Sequence, residues 1–350
     1  MPILYLSILL TIAFFTMIYI AFQESRLPIP TISRHFSLLL CVFVVCIIAF
    51  YPITPYSDKN SYLNAFNNIS FEQVFVAKDV GWAFYTYLIK NIFNNANVFF
   101  ALTACIYVGG YYIFSYKNFA KEYLFIFLLV SFTSFGFFAY GVNTLRAGFS
   151  LSLLLIALVY NKKNWIFITL AIFSVLCHKS MLLPLLAFVI TKYYNEPKMF
   201  FKFWLFALLI SFINIGFISE FIQSNLGSFD ERSEGYLSSD SVSRYNSGFR
   251  VDFIIYSFIP ILVGYYYLIK LKIYDEFYIR LFNTYLIANS FWLLVIRMQF
   301  TDRMAYLSWF LIPFILLYPL LKYQLNIKQR LYVVLMVFAI ISFTTLMSLK

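Results

Sequence analysis

Apolar runs of about 15 to 21 residues follow one another almost from end to end of this chain, and they decide what it can fold into. There are twelve, at roughly 3–22, 35–51, 97–116, 122–142, 145–160, 164–178, 180–194, 199–218, 251–270, 277–296, 303–321 and 329–348. A helix needs about 20 mostly apolar residues to cross the hydrocarbon of a bilayer, so each run reads as a membrane span. Composition excludes the soluble alternative. Hydrophobic residues make up 62% of the 350 and charged residues only 12%, where a soluble domain carries about 25% charged. With a mean hydropathy of +0.81, one compact core could not keep this much apolar surface from water. The expected fold is therefore all-α and polytopic, with about 12 transmembrane helices in a single integral membrane domain over 1–350.

The net charge of +11 does not point to nucleic acid, because the Lys and Arg are scattered between apolar runs and form no basic patch. Their placement instead orients the chain. The stretch 164–194 reads either as one bent helix or as two short ones meeting at His178-Lys179-Ser180. With two helices, loops 23–34, 117–122, 161–163, 192–202, 270–280 and 322–330 share a side that holds 15 of the 26 Lys and Arg but 5 of the 15 acids. With one helix that asymmetry vanishes, and the positive-inside tendency goes unexplained. Two helices are expected, with these loops cytoplasmic and both termini outside.

On that topology two outer loops are long, 52–96 and 219–250, and loops of that length are usually functional or disordered. Within the first, Gly81 to Phe93 is apolar but short and bears Lys90, which suits an interfacial or re-entrant helix. The first 22 residues lack a basic n-region and read as an uncleaved span. Cys41, Cys46, Cys105 and Cys177 show no CxxC pair and no His at metal-ligand spacing, so they read as small buried hydrophobes.

A charge in hydrocarbon costs at least about 2.5 kcal/mol, so charges at the span edges are candidate functional groups. Arg146 has Asn143 three residues before it and Ser150 four after, a spacing that puts all three on one helical face. It reads as a snorkelling arginine or as one end of an anion-facing groove. His178, with Lys179 and Ser180, sits at the tip of the helical pair, either as a satisfied structural residue or as a base or phosphate ligand. Arg297, Asp302 and Arg303 form an outer turn with one cation in excess of a local ion pair, and Arg244 and Arg250 add two more cations at that level. Asp58, the first acid after the second span, leads a segment with Tyr62 and Phe66 at helical spacing. No acidic cluster of DxD type, HExxH, Walker or GxSxG pattern is present, so metal-dependent, nucleotide-driven and serine-hydrolase chemistries lack their usual parts.

Taken in order, these features form a pattern. Asp58-(x3)-Tyr62-(x3)-Phe66 is followed by N-x-x-R-A-G-F-S over Asn143 to Ser150 and by Lys162-Lys163. Cys177-His178-Lys179-Ser180 comes next, and then Arg303 with Tyr306. From about residue 1 to 330 the chain resembles the EpsG-like branch of the Wzy-type polymerases, although no Arg stands just before Asp58 as it does in many relatives. The resemblance implies a GT-C-like membrane glycosyltransferase that joins undecaprenyl-diphosphate-linked repeat units into O-antigen or exopolysaccharide at the periplasmic face of the bacterial inner membrane. It implies no cofactor and no metal. The expected partners are the lipid-linked donor and acceptor, membrane lipid and a chain-length regulator protein.

In that frame Arg146, Arg303, Arg297 and Arg250 bind diphosphate. His178 or Asp58 serves as base, with Arg146 also counted as catalytic, and Tyr62, Tyr236, Tyr245 and Phe249 hold sugars. The rivals are a lipid-linked oligosaccharide flippase, which needs charges lining a path through both leaflets, and an O-antigen ligase or membrane acyltransferase.

Overall fold

The structure, a computed structural model, describes residues 3–23, 29–55, 57–213, 249–297, 301–325 and 328–349. Every regular element among them is helical. The first ten helices are α1 (Ile3–Phe22), α2 (Arg34–Ala49), α3 (Asp58–Asn68), α4 (Phe71–Val76), α5 (Val80–Phe93), α6 (Ala96–Asn118), α7 (Leu124–Thr133), α8 (Phe137–Val142), α9 (Leu145–Val159) and α10 (Asn164–Cys177). After a 3-10 turn at Lys179–Met181 come α11 (Leu182–Tyr193), α12 (Pro197–Ile213), α13 (Val251–Tyr265), α14 (Glu276–Leu294), α15 (Thr301–Trp309), α16 (Ile312–Lys322) and α17 (Gln329–Leu349).

Among the described residues, five stretches are long and apolar enough to cross a membrane: Tyr5–Phe22, Ala96–Asn118, Val251–Lys270, Thr301–Lys322 and Gln329–Ser348. Shorter apolar helices occupy Arg34–Ala49, Leu145–Val159 and Asn164–Cys177. Large apolar side chains such as Phe14, Phe15, Leu39 and Val42 stand exposed on these helices, the make-up of a polytopic membrane protein whose outer surface meets lipid.

Several expected runs are interrupted. The run 122–142 divides into α7 and α8 at Ser134–Gly136, where Gly136 takes φ 95, a left-handed conformation that costs glycine nothing. The run 303–321 pauses at Phe310–Leu311 between α15 and α16. In 164–194 the chain forms two helices, with His178 extended between them (φ −160, ψ 111). The run 199–218 is helical as far as Ile213, and the remainder lies outside the described residues. The cysteines are all free, but only Cys177 is buried, while Cys46 and Cys105 are exposed. That corrects the expectation of four buried thiols: a thiol is apolar enough to face lipid.

The chain divides into two compact units, Met1–Met181 with Leu320–Lys350, and Leu182–Pro319. In the first, α6 and α9 cross closely at Gly110, where a Cβ would lie 2.6 Å from the Ser152 Cα. The Ser174 hydroxyl donates to the Ser150 carbonyl at 2.7 Å and ties α10 to α9. The segment 52–96 is built from short capped helices. Ser57 and Ser70 cap α3 and α4, and Asn94 (φ 44) ends α5.

Two lysines there serve as helix C-caps, donating hydrogen bonds to carbonyls that the helix itself leaves open. Lys59, 1% exposed, donates to the carbonyls of Ile48, Ala49 and Tyr51 at 3.1, 2.7 and 2.9 Å and so closes α2. Lys90, the charge that set the 81–93 stretch apart, donates to the Asn67 and Ile69 carbonyls at 2.6 and 3.1 Å and closes α3. α3, α5, α6 and α9 thus enclose an aromatic cluster containing Phe66, Trp82, Phe99 and Phe149.

Candidate functional site

At the edge of that cluster three helix ends meet around one carboxylate. Asp79 is the N-cap residue of α5, yet its side chain makes no capping bond to its own helix. It accepts instead from Arg146 Nη1 at 2.9 Å and from the Lys179 backbone N–H at 3.3 Å, and it faces His178 Nδ1 at 3.4 Å. Arg146 lies in the first turn of α9, and His178 is the C-cap of α10. The Asp79 side chain is 7% exposed, against 23% for Arg146 and 19% for His178. The acid is therefore sealed in, while the guanidinium and the imidazole are partly exposed.

The approach depends on Gly81. A Cβ there would lie 2.9 Å from Cys177 Sγ and 2.9 Å from the Leu176 carbonyl carbon. Only glycine lets the first turn of α5 press against the end of α10, and that contact brings Asp79 to His178. Beneath it, Trp82 packs edge-on against Tyr62 and Phe149 at 5.8 and 5.6 Å.

Asp79 lies in the loop between α4 and α5, outside the spans. Burial alone would push its carboxyl up. The His178 contact, the charges of His178 and Arg146 and the Lys179 N–H outweigh burial and hold it below the ordinary carboxylate range. An acid held that firmly ionised is a poor proton acceptor but a good orienting group. In the tautomer with the proton on His178 Nδ1, that N–H points to the carboxylate and the lone pair of the ring lies on Nε2.

Sequence reasoning found two of these residues and missed the third. The acid bonded to Arg146 and His178 is Asp79; Asp58, expected to carry that chemistry, opens α3 behind its Ser57 cap. The signal for Asp79 was in Lys-Asp-Val-Gly-Trp, an acid before a helix with a glycine two residues on. The polar stripe expected around Arg146 does not exist. Asn143 is the C-cap of α8 and is not on α9, and the buried Ser150 hydroxyl donates to the Arg146 carbonyl at 2.7 Å. An i−4 back-bond satisfies such a hydroxyl on its own helix.

The other arginines expected to bind diphosphate, Arg250, Arg297 and Arg303, lie in the second unit. Arg250 pairs with Asp252 through Nε and Nη2 at 2.9 and 2.8 Å and covers the Phe253 ring at 3.7 Å. Arg297 stands 5.0 Å from the Phe249 ring centroid, and Phe249 in turn packs on Phe212 at 4.9 Å. Arg303 adjoins Asp302, which also acts electrostatically on Arg250. Of the residues expected to hold sugar, Tyr62 lies at the aromatic cluster, and Tyr236 and Tyr245 lie outside the described residues. Among the described residues, no group of three or more His, Cys, Asp or Glu could hold a metal ion.

Fold and site together define a polytopic membrane protein with an Arg–Asp–His cluster at the ends of its helices. The EpsG family model matches residues 34–350, and the chain belongs to that family. The match begins at the first residue of α2, leaves out α1, and runs past the point near 330 where the motif resemblance stopped. No curated protein and no solved structure matches the chain.

Proposed function

We propose that the protein is a polysaccharide polymerase that transfers a glycan from undecaprenyl diphosphate to a sugar hydroxyl of a second lipid-linked unit. In this reading it works at the periplasmic face of the inner membrane, within about twelve spans in a GT-C-like arrangement and beside a chain-length regulator. The observation that carries the reading is the Asp79 carboxylate shared by Arg146 and His178. It sets a guanidinium and an imidazole side by side, the two groups this transfer needs.

The acceptor oxygen attacks the anomeric carbon and loses its proton to His178 Nε2. The bond from that carbon to the diphosphate oxygen breaks, and the diphosphate leaves with the electron pair. Charge then grows on phosphate oxygens, where a planar guanidinium gives two-point, charge-assisted contacts. Asp79 steadies both groups and balances the imidazolium that forms. Aromatic side chains such as Tyr62 offer faces to sugar rings. In this reading guanidinium groups do at the leaving diphosphate what a divalent ion does elsewhere, and purified protein should keep polymerising in EDTA.

The test is the glycan made by cells that lack the native protein and carry His178→Ala at matched membrane levels. A polymerase defect leaves single repeat units on the final acceptor. A flippase defect abolishes outer glycan, and a ligase defect leaves long chains on undecaprenyl diphosphate; either of these patterns overturns the reading.

A further inference from the structure

The helices that carry Arg146 and His178 are short for a membrane. α9 has 15 residues and α10 has 14, which at about 1.5 Å per residue gives about 22 and 21 Å, whereas the hydrocarbon is about 30 Å thick. The turn that joins them carries the exposed Lys162 and Lys163, which belong at a water interface. Counted from that turn, both helices end about 8–9 Å short of the opposite edge of the hydrocarbon. Asp79, Arg146 and His178 meet at those ends.

α5 starts from the same cluster, and it exposes an apolar face. Val80, Phe84, Leu88 and Ile92 stand exposed at every fourth position, while Trp82, Thr86 and Ile89 are buried on the other side. That spacing makes a stripe along one side of a helix. α4 exposes Phe71, Phe75 and Val76. The Phe71 ring packs on Phe75 at 5.1 Å and on Tyr87 of α5 at 5.6 Å, so the two helices present one surface. An apolar patch of this extent marks a contact with membrane or protein, and its neighbour says which. α10 exposes Ile172, Phe173 and Leu176, and the first turn of α5 presses against Leu176 and Cys177 at Gly81. The lipid-facing surface of α10 therefore adjoins that of α5.

The ends of α5 say how it lies. Lys78 and Asp79 precede it, and Lys90, Asn91, Asn94 and Asn95 close it. A helix that dipped into the hydrocarbon would drag one polar end along, whereas a helix lying flat keeps both near the headgroups.

We propose that α4 and α5 lie flat at the boundary between headgroups and acyl chains, with this face against membrane phospholipid, and hold the Asp79–Arg146–His178 cluster at that depth. Interfacial helices sink by about 5–10 Å, which matches the distance by which α9 and α10 fall short. An anion borne by a lipid then reaches Arg146 sideways, without leaving the bilayer. The proposal stands whether or not the chain is a polymerase.

The test reads depth directly. In a background of Cys41→Ser, Cys46→Ser and Cys105→Ser, which leaves the buried Cys177, a nitroxide is placed in turn at Phe84→Cys, Leu88→Cys, Ile92→Cys and Lys179→Cys. All four positions are exposed, so the label displaces no packing. With the full chain in phosphatidylcholine nanodiscs, collisions with oxygen and with a water-soluble nickel chelate are compared and calibrated on lipids labelled at known depths. Labels at 84, 88 and 92 should favour oxygen and share one depth of about 5–10 Å, and the label at 179 should lie between them and the phosphates. Collisions dominated by nickel at 84 and 88 overturn the docking on lipid. A depth that grows steadily from 84 to 92 overturns the flat placement. Labels shielded from both reagents show that protein covers the face, a second copy where labels on neighbouring chains broaden one another, and overturn the proposal too. A label at 179 in bulk water removes the cluster from this depth.

Discussion

Two polar networks, one in each unit, are built in opposite ways. In the second, Asn289 is wholly buried and holds a network among four helices. It accepts from Trp204 Nε1 at 2.8 Å and donates to the Ser257 and Ser308 hydroxyls at 3.2 and 3.0 Å. Trp309 Nε1 donates to Ser257 at 2.7 Å, and the Tyr285 hydroxyl donates to the Ser257 carbonyl at 2.7 Å. These groups are neutral and lie within helices. In the first unit, Asp79, Arg146 and His178 are ionisable and lie at helix ends, with the guanidinium and the imidazole partly exposed. Saturated neutral networks fix packing. Charges gathered at helix ends, with a partly exposed guanidinium and imidazole, are arranged for something that arrives from outside.

Substitutions should separate the two regions. The largest effect is expected at Arg146. Both Arg146→Ala and Arg146→Lys should cut polymer by about 10²–10³-fold, the loss typical of one transition-state donor, because an ammonium lacks the planar fork. Chain length on gels, at matched membrane levels, is the measurement. Long polymer from the Lys variant would mean that Arg146 only anchors α9 at the interface.

Asp79→Asn comes next. It keeps the shape but leaves the half-buried Arg146 without its counter-ion, a class of change that costs about 3–5 kcal/mol. Polymer should fall together with melting temperature, while Asp79→Glu recovers part of both. Polymer at the wild-type level in the Asn variant would remove Asp79 from the site.

Asn289→Ala should do the reverse. It strands the Trp204 N–H and loosens two hydroxyls, for a loss on the order of 2 kcal/mol, with polymer per folded molecule unchanged. A loss of turnover without a loss of stability would erase the contrast between the units.

The smallest effect is in pH. The Asp79 carboxyl is held below its ordinary range, so its contribution to stability is complete above about pH 4, the unperturbed value, and fades as pH falls through the lower folded value. Wild type should therefore melt higher than Asp79→Asn at pH 7, and the gap should close only well below pH 4. A gap that closes near pH 5 would show a carboxylate without its partners.

The sequence by itself determined the class. Apolar runs of membrane length and scarce charge leave helices in lipid as the way to satisfy the backbone, and His178 and Arg146 stood out because charge in such runs is costly. It also marked the break at His178, through the imbalance of basic loops. Only the tertiary structure decided which acid belongs to the site. Asp79 and His178 are 99 residues apart, and neither spacing nor composition joins them; a glycine that lets two helix ends touch does. Tertiary structure also took Asn143 and Ser150 out of the site and made caps of Lys59 and Lys90. Helical periodicity says which face a residue occupies, but not where a helix begins or which carbonyls lie open beside it. Those are settled when the ends of neighbouring helices meet and their unpaired backbone groups must be satisfied.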